Sequence, residues 1–183
     1  MLYTRKGDDG TTKTFDAKQR ISKNSSVAEA LGSLDEINSF LGLCKVRSKE
    51  LGFKLGDRNF DEVVHQIQKD LFIAQAEIAG SKMSITEEKV KEVELIIDYI
   101  EKLLPPITTF FISGGSELAA TFDIARTISR RAERRVVAVA EEGEISIGQY
   151  TKAYLNRLSS ILYALARLSN HLSGINEEAP DYK

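Results

Sequence analysis

Residues 151–172, TKAYLNRLSSILYALARLSNHL, decide the fold. Thr151, Leu155, Leu158, Leu162, Leu165, Ser169 and Leu172 recur there in strict 4,3 alternation, the spacing that lines one side of an α-helix. The pattern predicts a helix from about Ile147 to Ser173, stopped by Gly174. A second face, Asn156, Ser160, Tyr163, Arg167 and Asn170, lies opposite the leucines. With two faces of one helix committed, the sequence predicts contacts between subunits as well as a core.

The same reading extends backward through long segments free of proline. Leu118, Phe122, Ala125, Ile128, Ala132, Val136 and Val139 predict a helix over about 116–141. A third helix is predicted from about Glu87 to Leu104, where Pro105-Pro106 ends it, with an N-cap offered by Ser84-Ile-Thr-Glu-Glu. Val63, Val64, Ile67, Leu71, Ala74 and Ile78 predict one over about 60–79, and Val27, Leu31, Leu34, Ile37, Leu41 and Cys44 another over about 27–51. Five long helices without a convincing strand make an all-α, five-helix up-and-down bundle. The first 25 residues lack periodicity and are predicted to be a loop-like arm. One domain spans 1–183: arm 1–25, helical bundle 26–175 and C-terminal tail 176–183.

Composition narrows the function. Against 25 Lys+Arg stand 27 Asp+Glu, a formal charge of -2, which disfavours a general polyanion surface and hence nucleic acid. One cysteine excludes an internal disulfide framework and a multi-thiolate metal site, and two distant histidines, His65 and His171, make a histidine metal site poorly supported. No apolar run of about 18 residues suggests a membrane span, and a cytoplasmic protein is expected.

Three places hold chemistry. The arm, Tyr3 to Lys13, is dense in glycine, hydroxyl, Lys and Arg, groups that bind phosphate, although its spacing is not that of a Walker A loop. A flexible polar terminus is the alternative reading. Five arginines crowd into Arg126–Arg135, and Arg126, Arg130, Glu133 and Arg134 share one helix face that Asp123 joins. The excess positive charge there repels itself unless an anion is bound, and the guanidinium fork suits phosphate or carboxylate. A solvated or subunit-bridging face is the alternative. Glu133 can orient two arginines, or meet a magnesium ion or a ribose hydroxyl. On the first helix Ala28, Gly32, Asp35, Ser39 and Gly42 form a small-residue stripe whose single carboxylate calls for a cationic partner.

In order along the chain, YTRKGDDGTT (3–12), RISK (20–23), EALGSLDEIN (29–38), FFISGGS (110–116), ARTISRRAERRVV (125–137) and YLNRLSSILYALAR (154–167) together resemble the PduO-type ATP:cob(I)alamin adenosyltransferases. The resemblance covers almost the whole chain. It implies a ferritin-like, cobalamin adenosyltransferase-like bundle assembled as a homotrimer, with active sites between subunits. It also implies transfer of the 5'-deoxyadenosyl group of ATP to the cobalt of reduced cobalamin, with release of triphosphate. Partners implied are a reductase and an adenosylcobalamin-dependent enzyme, with magnesium accompanying ATP. A non-catalytic ATP or corrinoid carrier that delivers adenosylcobalamin is the alternative.

Residue by residue, Thr4, Arg5, Lys6, Gly7, Thr12 and Lys13 match the arm that wraps ATP, and Lys23 matches a lysine that meets its phosphates. Arg130, Arg131, Glu133 and Arg134 match the ATP-binding stretch, with Arg130, Glu133 and Arg134 in the catalytic role, and Asn156 matches a further ATP contact. Phe110 matches the aromatic that closes the lower face of the corrin. Asp35 and Arg126 match an ion pair between neighbouring subunits. The sequence departs from the family pattern at Ser113, where proline is commoner, at Phe122-Asp123, where Leu-His is usual, and at Lys6, more often threonine. Ser113 is expected to loosen the corrin-closing loop, and Asp123 to draw an arginine from its expected partner.

Overall fold

A computed structural model describes residues 2–15, 20–143 and 145–182, so parts of the predicted arm (1 and 16–19) and the last residue of the tail lie outside the described residues. Five helices carry the chain: α1 (Ser26–Leu51), α2 (Phe60–Ile78), α3 (Glu87–Leu103), α4 (Glu117–Glu142) and α5 (Gln149–Leu172). The Ser25 and Ser116 hydroxyls cap α1 and α4 by accepting from the backbone N–H of Ala28 at 3.3 Å and Ala119 at 3.2 Å. Within the stretch Ser84-Ile-Thr-Glu-Glu, Thr86 takes the N-cap position of α3.

Helix α1 packs between α2 and α4, α4 between α1 and α5, and α3 lies along α5. Directions follow from side-chain pairs. Along the antiparallel α1–α4 seam, Ser26 bonds Glu142, Arg135 Nε stands 3.3 Å from Glu29, Arg131 pairs with Glu36, and Arg47 Nη2 lies 3.0 Å from Glu117. Helix α3 runs parallel to α5: the Tyr150 hydroxyl donates to Glu87 at 3.1 Å, and Arg157 Nε to Glu94 at 2.9 Å. Successive helices therefore alternate up and down, while α3 sits beside α5 and not between its chain neighbours.

The predicted leucine stripe of α5 is buried from Thr151 to Ser169 and emerges only at Leu172. Between Ile161 and Asn170 only Tyr163 is even partly exposed, because other parts of the same chain cover the remaining faces. Two carboxylates enter this core with their donors. Asp70 accepts from Gln66 Nε2 at 3.0 Å and the Tyr154 hydroxyl at 3.1 Å and pairs with Lys89. Glu77 accepts from the Gly148 N–H at 2.6 Å and from the Thr151 hydroxyl, placing negative charge at the start of α5.

Two expectations need correction. The arm is not wholly loop: β1 (Thr11–Thr12) pairs antiparallel with β2 (Ile21–Ser22), and β3 (Lys54–Leu55) with β4 (Arg58–Asn59) in a hairpin between α1 and α2. Strands of two residues are too short to print an alternating pattern. The second face of α5 is not left wholly for another subunit, since Arg167 and Asn170 are buried within the chain.

Candidate active site

The arm is built around Gly7. Lys23 Nζ donates to the Gly7 carbonyl at 2.9 Å, and the Lys23 N–H to the Gly10 carbonyl at 2.9 Å, so the turn before β1 is tied to the residue after β2. A Cβ on Gly7 would stand 3.0 Å from the Thr11 carbonyl oxygen and 3.2 Å from Lys23 Nζ, which leaves little room for a larger residue. Asp9 accepts from both the Thr11 N–H, at 3.0 Å, and its hydroxyl, at 2.7 Å; these bonds hold its carboxyl below the usual value. Arg20 clasps the same threonine through its hydroxyl at 2.5 Å and its carbonyl at 2.8 Å. Thr4, Arg5, Lys6 and Lys13 are exposed beside this turn, Thr12 is half-buried in β1, and Arg5 holds a left-handed φ of 59°, which a β-branched side chain would tolerate less well.

Across the bundle, α4 sorts its five arginines. Arg131 and Arg135 are engaged by Glu36 and Glu29 of α1. Arg126 leans toward Asp123, with Nε 3.6 Å from Oδ1, and its guanidinium lies 5.8 Å over the Tyr163 ring. Arg130 and Arg134 are exposed and have no ion pair or hydrogen bond of their side chains among the described residues. Glu133, half-buried between them, does not pair with either arginine; it accepts from Asn156 Nδ2 of α5 at 3.1 Å. Two free guanidinium groups flanking an anchored carboxylate and amide form a ready site for a multiply charged anion.

One turn along, the α4–α5 groove opens into a cleft of about 590 Å³. Its floor is α4 and α5 at Asp123, Arg126, Ser159, Ser160 and Tyr163, and its wall is the segment 107–114. Phe110 stands 79% exposed on that wall, a large apolar ring left in the mouth of a cavity. Because α4 rises about 1.5 Å per residue, Arg130 lies roughly 6 Å along the helix beyond Arg126, one turn from the residue that lines the cleft.

The segment behind Phe110 is held from α5. Asn170 Nδ2 donates to the Gly114 carbonyl at 2.8 Å, and Asn170 Oδ1 accepts from the Ser116 N–H at 2.8 Å. A Cβ at Gly115, whose φ is 102°, would come within 2.4 Å of Asn170 Oδ1, so glycine is required there. Asp123 Oδ2 accepts from the Gly114 N–H at 3.0 Å, giving that residue a tie to the loop as well as to Arg126.

The structure thus brings Arg130, Glu133, Arg134 and Asn156 into one groove and sets Phe110 beside it. No hydrogen bond or ion pair joins the arm to that groove among the described residues, nor Asp35 to Arg126; Asp35 is exposed on the outward small-residue stripe. His65 and His171 are exposed, and no three ligating side chains gather into a metal cluster among the described residues. Sequence reasoning missed Glu177, which bonds Arg167 at the back of the cleft, and Phe111, whose ring lies 5.2 Å from that guanidinium. A Glu-Glu pair in an aperiodic tail carries no signal of either contact. No helix of the described residues is long and apolar enough to cross a membrane.

Known proteins share this fold and sequence. A solved PduO-type ATP:corrinoid adenosyltransferase variant from Lactobacillus reuteri, complexed with cobalamin and ATP, superposes with a TM-score of 0.87 at 29% identity, over 98% of this chain and 99% of that one. The corrinoid adenosyltransferase PduO of Citrobacter freundii is 38% identical over 177 residues, 93% of this chain; the chain spans 50% of that protein's length. A corrinoid adenosyltransferase of Bacillus subtilis is 38% identical over 180 residues, covering 96% of this chain and 90% of that protein. The family described as cobalamin adenosyltransferase matches residues 2–169, and the chain belongs to it.

Proposed function

We propose that this protein transfers the 5'-deoxyadenosyl group of ATP to the cobalt of cob(I)alamin, giving adenosylcobalamin and triphosphate. The observation that carries the reading is the pair of guanidinium groups, Arg130 and Arg134, that have no partner among the described residues and flank the Asn156-anchored Glu133 on the same two helices, α4 and α5, that floor the cleft bearing Phe110. An anion-binding groove one helical turn from a cavity suits a reaction in which the nucleotide's polyphosphate and a bulky acceptor meet at one carbon.

The electron pair of cobalt forms the new bond to C5', and the C5'–O bond breaks with its pair going to the triphosphate. Charge develops on the departing oxygen, so the contribution required of the chain is a set of cations already in place. Arg130 and Arg134 supply it from α4. Lys23 leaves the Gly7 carbonyl to meet the phosphates, and Thr4, Arg5, Lys6, Gly7, Thr12 and Lys13 wrap the nucleotide. Glu133 is the carboxylate between the two arginines; with Asn156 it holds the ribose or the water shell of magnesium, which arrives on the phosphates and neutralises part of their charge. No nucleophilic side chain is needed, since the cofactor substrate carries the hard chemistry. Phe110 excludes water and axial ligands from the lower face of the corrin.

No hydrogen bond or ion pair joins the arm to the α4–α5 groove among the described residues, and we read the site as one completed between neighbouring copies. We read the outward stripe of Ala28, Gly32, Asp35 and Ser39 as the seam of a homotrimer, with Asp35 meeting Arg126 across it. In this reading a reductase supplies cob(I)alamin and an adenosylcobalamin-dependent enzyme takes the product, in the cytoplasm. The deciding experiment mixes the protein anaerobically with MgATP and chemically reduced cobalamin and follows the absorbance change of the new Co–C bond. Binding of both ligands without adenosylated product would make the protein a carrier instead.

A further inference from the structure

Arg167 is the one charged residue in the buried stretch 161–170, at 4% exposure. Its Nε donates to both Glu177 oxygens, at 3.0 and 2.8 Å, and its Nη2 reaches Glu177 Oε2 at 2.8 Å and the Pro105 carbonyl at 3.2 Å. One guanidinium therefore touches three segments: α5, the exit of α3 and the C-terminal tail. The next tail residue adds a backbone tie, because the Ile112 N–H donates to the Glu178 carbonyl at 2.8 Å. Pro105 and Ile112 bracket Phe110, so both ends of the loop that carries it are pinned through Glu177 and its neighbour.

A buried ion pair adds little net stability compared with apolar residues of the same volume, yet it fixes geometry, since each partner is costly to leave unpaired. The bundle core does not need this one: the leucines of α5 pack against the other helices without the tail. What the pair determines is where the wall of the cleft stands.

We propose that Arg167 and Glu177 are positioning residues for the corrinoid cleft, clamping the C-terminal tail against residues 105–112 so that Phe110 is held at the cavity mouth. This rests on the reading of the cleft as the corrinoid site. The clamp acts on the corrinoid side alone, because neither residue touches Arg130, Glu133, Arg134 or Asn156.

The test compares the full-length wild-type chain with Glu177→Ala and Glu177→Gln by two measurements. Hydrogen exchange on the ligand-free protein is expected to reveal a protected Ile112 amide in the wild type and loss of that protection in Glu177→Ala, with α1 and α4 unchanged. Steady-state adenosylation is expected to raise KM for cobalamin roughly tenfold while KM for ATP stays within about twofold of wild type. Glu177→Gln keeps the shape without the charge and moves both readouts in the same direction by less. Unchanged Ile112 protection overturns the clamp; equal rises in the two KM values overturn its confinement to the corrinoid side. A wild-type protein that adenosylates nothing defeats the functional reading, and the exchange data still decide whether Glu177 holds the loop.

Discussion

Asn156 Nδ2 of α5 donates to Glu133 Oε1 of α4 at 3.1 Å, and that bond keeps a carboxylate from neutralising the arginines on either side of it. Glu133 lies three residues after Arg130 and one before Arg134, close enough on the helix surface to pair with Arg130. Held toward α5, it leaves both guanidinium groups free, while α1 engages the neighbouring Arg131 and Arg135. The groove's charge is thus set by cross-helix register.

Arg130→Ala tests that assignment most directly. If the guanidinium stabilises the departing triphosphate, turnover falls by roughly 10²-fold or more while the helical circular dichroism signal is retained, because the side chain is exposed and makes no hydrogen bond or ion pair among the described residues. Steady-state rates at saturating ATP and cobalamin check it, and unchanged turnover in a folded protein would remove Arg130 from the site.

Asp35→Asn probes the seam. Among the described residues Asp35 has no hydrogen-bond or ion-pair partner and the buried Nε of Arg126 has no hydrogen-bond acceptor, standing 3.6 Å from Asp123. An acceptor from a second copy would satisfy it. Sedimentation is expected to show Asp35→Asn dissociating at concentrations where the wild type stays assembled, with activity lost in parallel. Asp123→Asn removes the competing charge and is expected to leave assembly intact or tighter. Identical sedimentation of Asp35→Asn and wild type would place Arg126 in the service of its own chain.

How much of this was legible beforehand varies with the kind of regularity. The α5 leucines announced themselves because every third or fourth position had to face a core, and all five helices end within two residues of the predicted limits. The free Arg130 and Arg134 could not be told from the engaged Arg131 and Arg135, since the difference depends on where Glu29 and Glu36 fall across the α1–α4 seam. Arg167 and Asn170 read as an outward face because their partners, Pro105, Gly114, Ser116 and Glu177, sit in segments without any period. The two hairpins were hidden by their brevity.

Cys44 supplies a probe of opening. It is fully buried, and burial pushes its thiol up to about 12. Since the thiolate is the reactive form, only about one molecule in 10⁴ carries it at pH 8, behind a closed core. An aromatic disulfide reagent is expected to label no thiol in the native protein and one per chain in denaturant. Rapid labelling without denaturant would mean that α1 parts from α4, because Cys44 Sγ lies against the Thr121 carbonyl at 4.0 Å.

Tyr154 links the core to pH. Its hydroxyl donates to Asp70 Oδ2 at 3.1 Å, and burial, with the Asp70 charge beside it, raises the phenol well above its usual 10.0. The folded state therefore keeps a proton that the unfolded chain releases above about pH 10, so this contribution is complete below that pH and is lost as pH rises toward the folded value. Tyr154→Phe leaves Asp70 short of one donor and is expected to lower stability at pH 7 by about 1–3 kcal/mol, read from denaturant midpoints at constant slope. The variant is also expected to lose less stability than wild type between about pH 9 and 11, because the group that resists ionisation is gone. Parallel alkaline decline in the two proteins would assign the pH dependence to other groups, whatever the loss at pH 7.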